Sequence, residues 1–291
     1  MQIYNLLGGR NLLVCIFLLS YTNSQEQVLR GKVVDNTTGL PLPYASVGIY
    51  GRKVGGIANR DGVFAIDLSR ADKKDSLVFS FIGYAGCSIL AVDLDRTKEL
   101  TIGLTPIPKG LPEVAVVGKR QIVEIGNIKY DGYYTGWGDY SSSRGRLRGL
   151  LITLEYPVKV VAFAFHIKRN TFDSVKVRLH ILEFHGDSLP LNQLLKDNIY
   201  MSIQKDAQWV NLDLAPYHIE LKDTIVLAVE WVDAWSPSGE EGKNSHLFTF
   251  SDSHRPGCVY TRDYPFESPV FIRSPETPAM YLKAYRVGKW Q

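Results

Sequence analysis

The residues best suited to chemistry in this sequence are aromatic rings placed beside carboxylates. Trp235 lies in Asp233-Ala-Trp-Ser-Pro-Ser-Gly-Glu-Glu-Gly242, whose Pro, Ser and Gly content marks a loop. Trp137 lies in a Gly-rich stretch, 132–138, with Tyr133 and Tyr134 before it and Asp139 and Tyr140 after it. A sugar can stack its apolar face on a Trp or Tyr ring while nearby carboxylates take its hydroxyls. The candidate ligand-binding set is therefore Trp137, Tyr133, Tyr134 and Trp235, with Asp233 and Glu240 as polar partners. The competing reading is that these rings cap the end of a sandwich, partly buried. Trp209 and Trp231 alternate with strand residues and are expected in the core or on a sheet face. The histidines form no metal set. His180 and His185 flank Glu183, and His246 and His254 bracket Asp252, but neither spacing is a zinc motif. The sequence has no Gly-x-Ser-x-Gly elbow and no Gly-rich phosphate loop leading into a helix. Glu230 and Asp233, three apart at a strand end, are ordinary. The expectation is a protein without enzymatic activity, metal or cofactor.

Positioning such rings requires a folded scaffold, and the composition supplies one. Of 291 residues, 45% are hydrophobic and 22% charged, values of a globular chain. The 33 basic and 30 acidic residues leave a net charge of +3, so a general nucleic-acid grip gains no support. Residues 1–24 read as a signal peptide. Arg10 precedes the apolar run Leu12 to Leu19, which is too short to span a bilayer, and Thr22 and Ser24 precede a cut before Gln25. Cys15 lies inside the run, which argues against a lipoprotein. The mature chain is expected to lack a transmembrane helix. Cys87 and Cys258 would remain, and two buried thiols are expected rather than a disulfide.

Apolar and polar residues alternate with period two along 28–104: Leu29, Gly31 and Val33; Ala45, Val47 and Ile49; Phe64, Ile66 and Leu68; Leu77, Phe79 and Phe81; Leu100, Ile102 and Leu104. Turn formers separate these runs at 38–41, 60–62 and 82–84. This is the pattern of a small β-sandwich. The stretch Gly31-Lys-Val-Val-Asp35-Asn-Thr-Thr38-Gly39-Leu-Pro41-Leu-Pro43-Tyr-Ala45-Ser-Val47 resembles the carboxypeptidase regulatory-like domain. Gly56-Ile-Ala-Asn59-Arg-Asp61-Gly62-Val-Phe64 and Leu77 to Tyr84 continue the resemblance. One departure is Ala58, where the family usually carries Thr. The resemblance implies a prealbumin-like, non-catalytic module that accompanies other domains, with Asp35 and Asp61 serving turns. In the peptidases that carry this module, a separate catalytic domain holds zinc with a His-x-x-Glu pair and a distant second His. Here His180-Ile-Leu-Glu183 falls in an alternating strand, where positions i and i+3 face opposite sides and cannot chelate together.

Residues 105–129 read as a linker that begins Pro106-Ile-Pro108-Lys-Gly110-Leu-Pro112. Within it, 111–118 resembles the segment that joins the same module to the plug of TonB-dependent outer-membrane receptors, which offers a short strand to a partner. The more ordinary reading is a strand that pairs within this chain. Residues 130–288 show nine further strand-like runs with one helical turn near 191–197, and resemble jelly-roll modules appended to secreted bacterial proteins. The expectation is an all-β protein: a leader at 1–24, a prealbumin-like sandwich at 28–104, a linker, and a jelly-roll-like sandwich at 130–288. Its expected role is that of a non-catalytic exported envelope protein, in the periplasm or at the outer membrane. It would act as an accessory or scaffold through protein contacts. The alternative is a carbohydrate-binding protein whose partner is a glycan.

Overall fold

The computed structural model describes residues 28–95, 98–108, 121–137, 144–186, 191–236 and 247–287. The leader, the segment 111–118, Asp139, Tyr140, Glu240 and His246 lie outside the described residues. Strands β1 (Val28–Asp35), β2 (Ser46–Ile49), β3 (Gly55–Ile57), β4 (Val63–Asp67), β5 (Ser76–Ser80), β6 (Tyr84–Ala85), β7 (Cys87–Leu90) and β8 (Leu100–Pro106) build a first sandwich. Its two sheets run β4-β1-β8-β6 and β3-β2-β5-β7. The alternation seen in the sequence is what the sandwich uses. In β4, Phe64 and Ile66 point inward while Val63, Ala65 and Asp67 face solvent. Leu29, Val33, Val47, Phe64, Phe79 and Leu104 fill the core. β8 returns parallel to β1, pairing Gly31 with Leu100 through Asp35 with Leu104.

Asp35 and Asn59 set the turns. Asp35 Oδ1 accepts the amides of Thr37 (2.7 Å) and Thr38 (3.0 Å), and Oδ2 accepts the Tyr84 hydroxyl at 2.8 Å. Asn59 Oδ1 accepts the amides of Asp61 and Val63, each at 2.9 Å, around Asp61-Gly62. Both are Asx-type caps of the kind that short polar side chains provide.

The second sandwich comprises β9 (Ile122–Gly126), β10 (Tyr133–Trp137), β11 (Leu147–Thr153), β12 (Val158–Asn170), β13 (Ser174–Glu183), β14 (Tyr200–Gln204), β15 (Trp209–Asp213), β16 (Glu220–Leu221), β17 (Thr224–Trp235), β18 (Phe248–Ser253), β19 (Gly257–Arg262), β20 (Val270–Ser274), β21 (Thr277–Pro278) and β22 (Met280–Arg286). One sheet pairs β9, β22, β12 and β15 in that order, and the other pairs β11, β17, β13 and β14. In chain order β9 pairs β22, β11 pairs β17, β12 pairs β15, and β13 pairs β14. That nesting is a long antiparallel hairpin wrapped around a barrel, the jelly-roll winding. The additions are β10, β16, β18 and β21 on the first sheet and β19 and β20 on the second. The two sheets enclose one apolar core, with Phe163, Phe165, Val177, Leu227, Trp231 and Phe250 fully buried.

The structure corrects several boundaries. Residues 122–126, expected in the linker, are β9, hydrogen-bonded along β22. The Gly-rich aromatic stretch is largely strand β10, with Gly136 lying directly against the β18 backbone. Leu191–Asp197 holds no helical turn. It runs irregularly beside β13 and bridges Leu182 to Gln193. Cys87 and Cys258 are free and half-buried, on different sandwiches.

The sandwiches dock through a close seam. Gly51 N–H donates to the Phe266 carbonyl (2.9 Å), the Tyr200 hydroxyl to the Pro43 carbonyl (3.3 Å), and Arg144 Nη2 to the Ala58 carbonyl (3.3 Å). Tyr44 and Ile57 of the first sandwich pack on Val232 and Tyr200 of the second. The backbone approach is tightest at Gly48. A Cβ there would lie 2.6 Å from the Pro265 carbonyl oxygen and 2.9 Å from that of Val54. Neither oxygen belongs to a side chain that could swing away. Gly48→Ala is expected to destabilise the protein by about 1–3 kcal/mol, the usual cost of overpacking. Thermal melts of the variant beside wild type check this, and an unchanged melting temperature would show that the seam can yield there.

Candidate functional site

The charge chemistry of the molecule is concentrated where β13 and β17 meet the first sandwich. Their register places Arg178 directly opposite Glu230 and His180 opposite Ala228. Arg178 Nε lies 2.6 Å and Nη2 2.5 Å from Glu230 Oε2. Its remaining donors cross the seam or brace it: Nη1 donates to the Tyr44 carbonyl (3.1 Å) and Asn198 Oδ1 (3.0 Å), and Nη2 to Ser46 Oγ (3.4 Å). Asn198 Nδ2 in turn donates to the Ile82 carbonyl at 2.8 Å. Tyr44 holds a left-handed φ of 63°, which turns its carbonyl toward this cluster.

Both charges are sealed from water, with Arg178 1% and Glu230 0% exposed. Burial alone would raise the Glu230 carboxyl, but Arg178 and His180 outweigh it and hold it down at about 2. Burial lowers His180 and keeps its imidazole neutral. The network also fixes the tautomer. Gln193 Oε1 accepts the amides of Ile181 and Leu195, so its Nε2 donates to His180 Nδ1 at 2.7 Å. The imidazole hydrogen is then on Nε2, donated to Glu230 Oε2 at 2.8 Å. Glu183, three residues along β13, pairs instead with His185 at 3.0 Å, away from this network. No group of three or more His, Cys, Asp or Glu among the described residues could hold a metal.

The aromatic candidates are placed otherwise than the sequence suggests. Trp137 is not on an exposed loop. It ends β10 and is 1% exposed, with ring contacts to Trp231, Phe248 and Phe250, so it cannot meet a glycan. Trp235 is 63% exposed but ends β17 rather than lying in a loop. Asp233 faces the seam, with Oδ2 3.5 Å from the Tyr44 hydroxyl. Glu240 lies outside the described residues. Tyr133 and Tyr134 are both exposed on the edge strand β10. Tyr133 pairs with Asp252, four residues along β18 from the Phe248 end, near which Trp235 accepts the Asp173 amide. At about 3.3 Å per residue, that puts these tyrosines some 13 Å along the strand from that end. The predicted set is therefore not one site.

A second aromatic group, which the sequence reading did not assemble, lies on the outer face of the first jelly-roll sheet. Phe163, Phe165 and Ile167 point into the core, so His166 points out, and Trp209 is its cross-strand partner. The half-exposed Tyr130 stacks on His166 with centroids 3.8 Å apart and planes at 12°. Trp209 meets both edge-on, and Tyr281 lies 5.6 Å beyond Trp209. His166 Nδ1 is 2.7 Å from Ser251 Oγ, and Ser251 pairs with Tyr134, which shares this face at 65% exposure. Asn211 and Asp213 follow Trp209 on the same side. The signal was the parity of Trp209-Val-Asn-Leu-Asp213, legible only once β15 is known to pair with β12.

With this geometry in view, comparison with known proteins covers the first sandwich. The family model of the CarboxypepD_reg-like domain matches residues 29–116, which takes in β1 to β8 and runs on past Pro106. The first sandwich is thus a regulatory-like, non-catalytic module of a kind that occurs in extracellular or envelope proteins. No curated protein matches the chain. Among the described residues no helix is long and apolar enough to cross a membrane.

Two carboxylates generate predictions. Glu230→Gln removes the counter-charge that a buried guanidinium has among the described residues and is expected to lose about 3–5 kcal/mol at pH 7. Because the Glu230 carboxyl is held at about 2 against an ordinary 4.5, its contribution is complete above pH 4.5 and is lost as pH falls through 2. The gap between variant and wild type in chemical denaturation should narrow across that window, and a constant gap would contradict the assignment. Asp252 is the opposite case. Burial, helped by Glu276, raises it from 3.8 to about 7, and Oδ1 has no hydrogen-bond partner among the described residues. The folded state then holds a proton that the unfolded chain releases, so stability falls as pH rises from 3.8 through 7. Asp252→Asn should stabilise by about 2–4 kcal/mol at pH 8 and by almost nothing at pH 4. A gain equal at both pH values would refute the raised carboxyl.

Proposed function

We propose that this chain is an exported, non-catalytic accessory protein of the bacterial envelope, whose two sandwiches act as one rigid unit that works through protein contacts. The observation that carries this reading is the seam. A device that clamps a ligand by domain closure needs an interface that opens, whereas here opening would strip Arg178 of the Tyr44 carbonyl and Ser46 hydroxyl and wet a buried ion pair. The apolar run at 12–19 supports export, and a module of a kind found in extracellular and envelope proteins supports the compartment.

A second reading, carbohydrate binding, is favoured by one specific observation. Tyr130, Trp209 and Tyr134 share a sheet face with the side chains of Asn211 and Asp213, which is the mixture a stacked sugar requires. Two assays separate the readings. Crosslinking pull-downs with the full-length exported chain should recover a stoichiometric envelope protein. Affinity electrophoresis in soluble polysaccharides should show no retardation if protein contact is the sole role. Retardation lost in both Trp209→Ala and Tyr130→Ala, with melting temperature kept, would replace the first reading by the second. Retardation lost only in Trp235→Ala would move the glycan site to the end of β17.

A further inference from the structure

We infer that the cleft between the two sandwiches is a preformed binding site for a small organic anion with an apolar body, an aromatic or branched carboxylate, whose charge is met by Arg262. The cleft holds about 570 Å³, within the roughly 300–1,000 Å³ usual for small-molecule sites, which favour domain interfaces. Tyr50, Phe81 and Ile82 of the first sandwich and Leu182, Leu191 and Phe266 of the second supply its apolar walls.

Its charges do not cancel. Arg178 and His180 both lean on Glu230 Oε2. Glu267, which also lines the cleft, accepts the amides of Asp263 and Tyr264 and lies 3.8 Å from Lys53. That leaves Arg262, which lines the cleft and makes no hydrogen bond or ion pair among the described residues. Its Nε is buried without a partner. Among the described residues, the buried Glu230 attracts Arg262 through space, but its direct contacts go to Arg178 and His180. A partly buried guanidinium without a direct counter-charge is costly, and a carboxylate entering the cleft that Arg262 lines would supply one with matching planar geometry. The apolar walls set the rest of the ligand's chemistry, because a strongly hydrated inorganic anion gains nothing from them.

The test uses the full-length chain and two dyes of similar shape, anionic 8-anilinonaphthalene-1-sulfonate and neutral N-phenyl-1-naphthylamine. The anionic dye should bind saturably at one site per chain and be displaced by octanoate. Arg262→Gln should weaken the anionic dye at least tenfold and leave the neutral dye within about twofold. Ser80→Phe, which narrows the cleft from the first sandwich while Arg262 lines it from the second, should weaken both. Thermal melts of each variant exclude dye uptake by unfolded protein. Unsaturable binding, or equal effects of Arg262→Gln on the two dyes, or indifference to Ser80→Phe, would each overturn the inference.

Discussion

The guanidinium of Arg178 reaches from the outer face of one sandwich to a backbone carbonyl of the other, while its charge is neutralised from behind by Glu230. Most of the molecule's geometry follows from that arrangement. Burying two charges is expensive, and the cost is met only when every donor finds an acceptor. Tyr44, Ser46 and Asn198 accept from Arg178 while His180 donates to Glu230, and these groups come from both sandwiches and the segment between β13 and β14. None of them can shift without leaving a buried polar group exposed to apolar surroundings. The cluster therefore specifies a single docking angle, which contacts such as Ile57 on Val232 could not do alone.

The same docking divides the jelly roll into two unlike surfaces. The sheet that carries β13 and β17 meets the first sandwich, so its outer face sets the Arg178, His180 and Glu230 cluster among buried apolar side chains such as Leu182, Val226 and Val232. The sheet that carries β12, β15 and β22 leaves its outer face to solvent and displays Tyr130, Trp209 and Tyr134 there. One face of the second domain is thus committed to the first domain and the other remains available for something else.

The first sandwich was almost fully legible in the sequence. Its strands alternate strictly, and Asp35, Gly39, Asn59 and Gly62 punctuate them at turns that admit few other residues. The second was legible where strands are long, as in β12, β13 and β17, and illegible at short edges such as β19 and β20. β9 was hidden because Ile122-Val-Glu-Ile-Gly126 has too few residues to establish a period. The seam could not be read at all. Arg178 and Glu230 occupy positions that alternation assigns to solvent, and they are 52 residues apart. A trace is visible in retrospect: β13 and β17 are apolar on both sides of these charges, as strands covered on both faces are. Trp137 misled for the opposite reason, since Gly136 imitates a loop but serves a close strand contact.

The winding of the jelly roll has a consequence for when each part of the chain can become stable. The first sandwich closes as soon as β8 lies beside β1, so everything it needs is present once residue 106 has emerged. The second pairs its earliest strand, β9, with its last, β22, and the central strand β12 also waits for β22. The sheet built on β9 and β12 cannot be completed before β22 appears, and such long-range pairing is slow. During that interval the polar wall of the first module stands finished, with the Tyr44 carbonyl and Ser46 hydroxyl already in place. It can serve as the template on which β13 and β17 settle, so that the order of the sequence becomes an order of assembly.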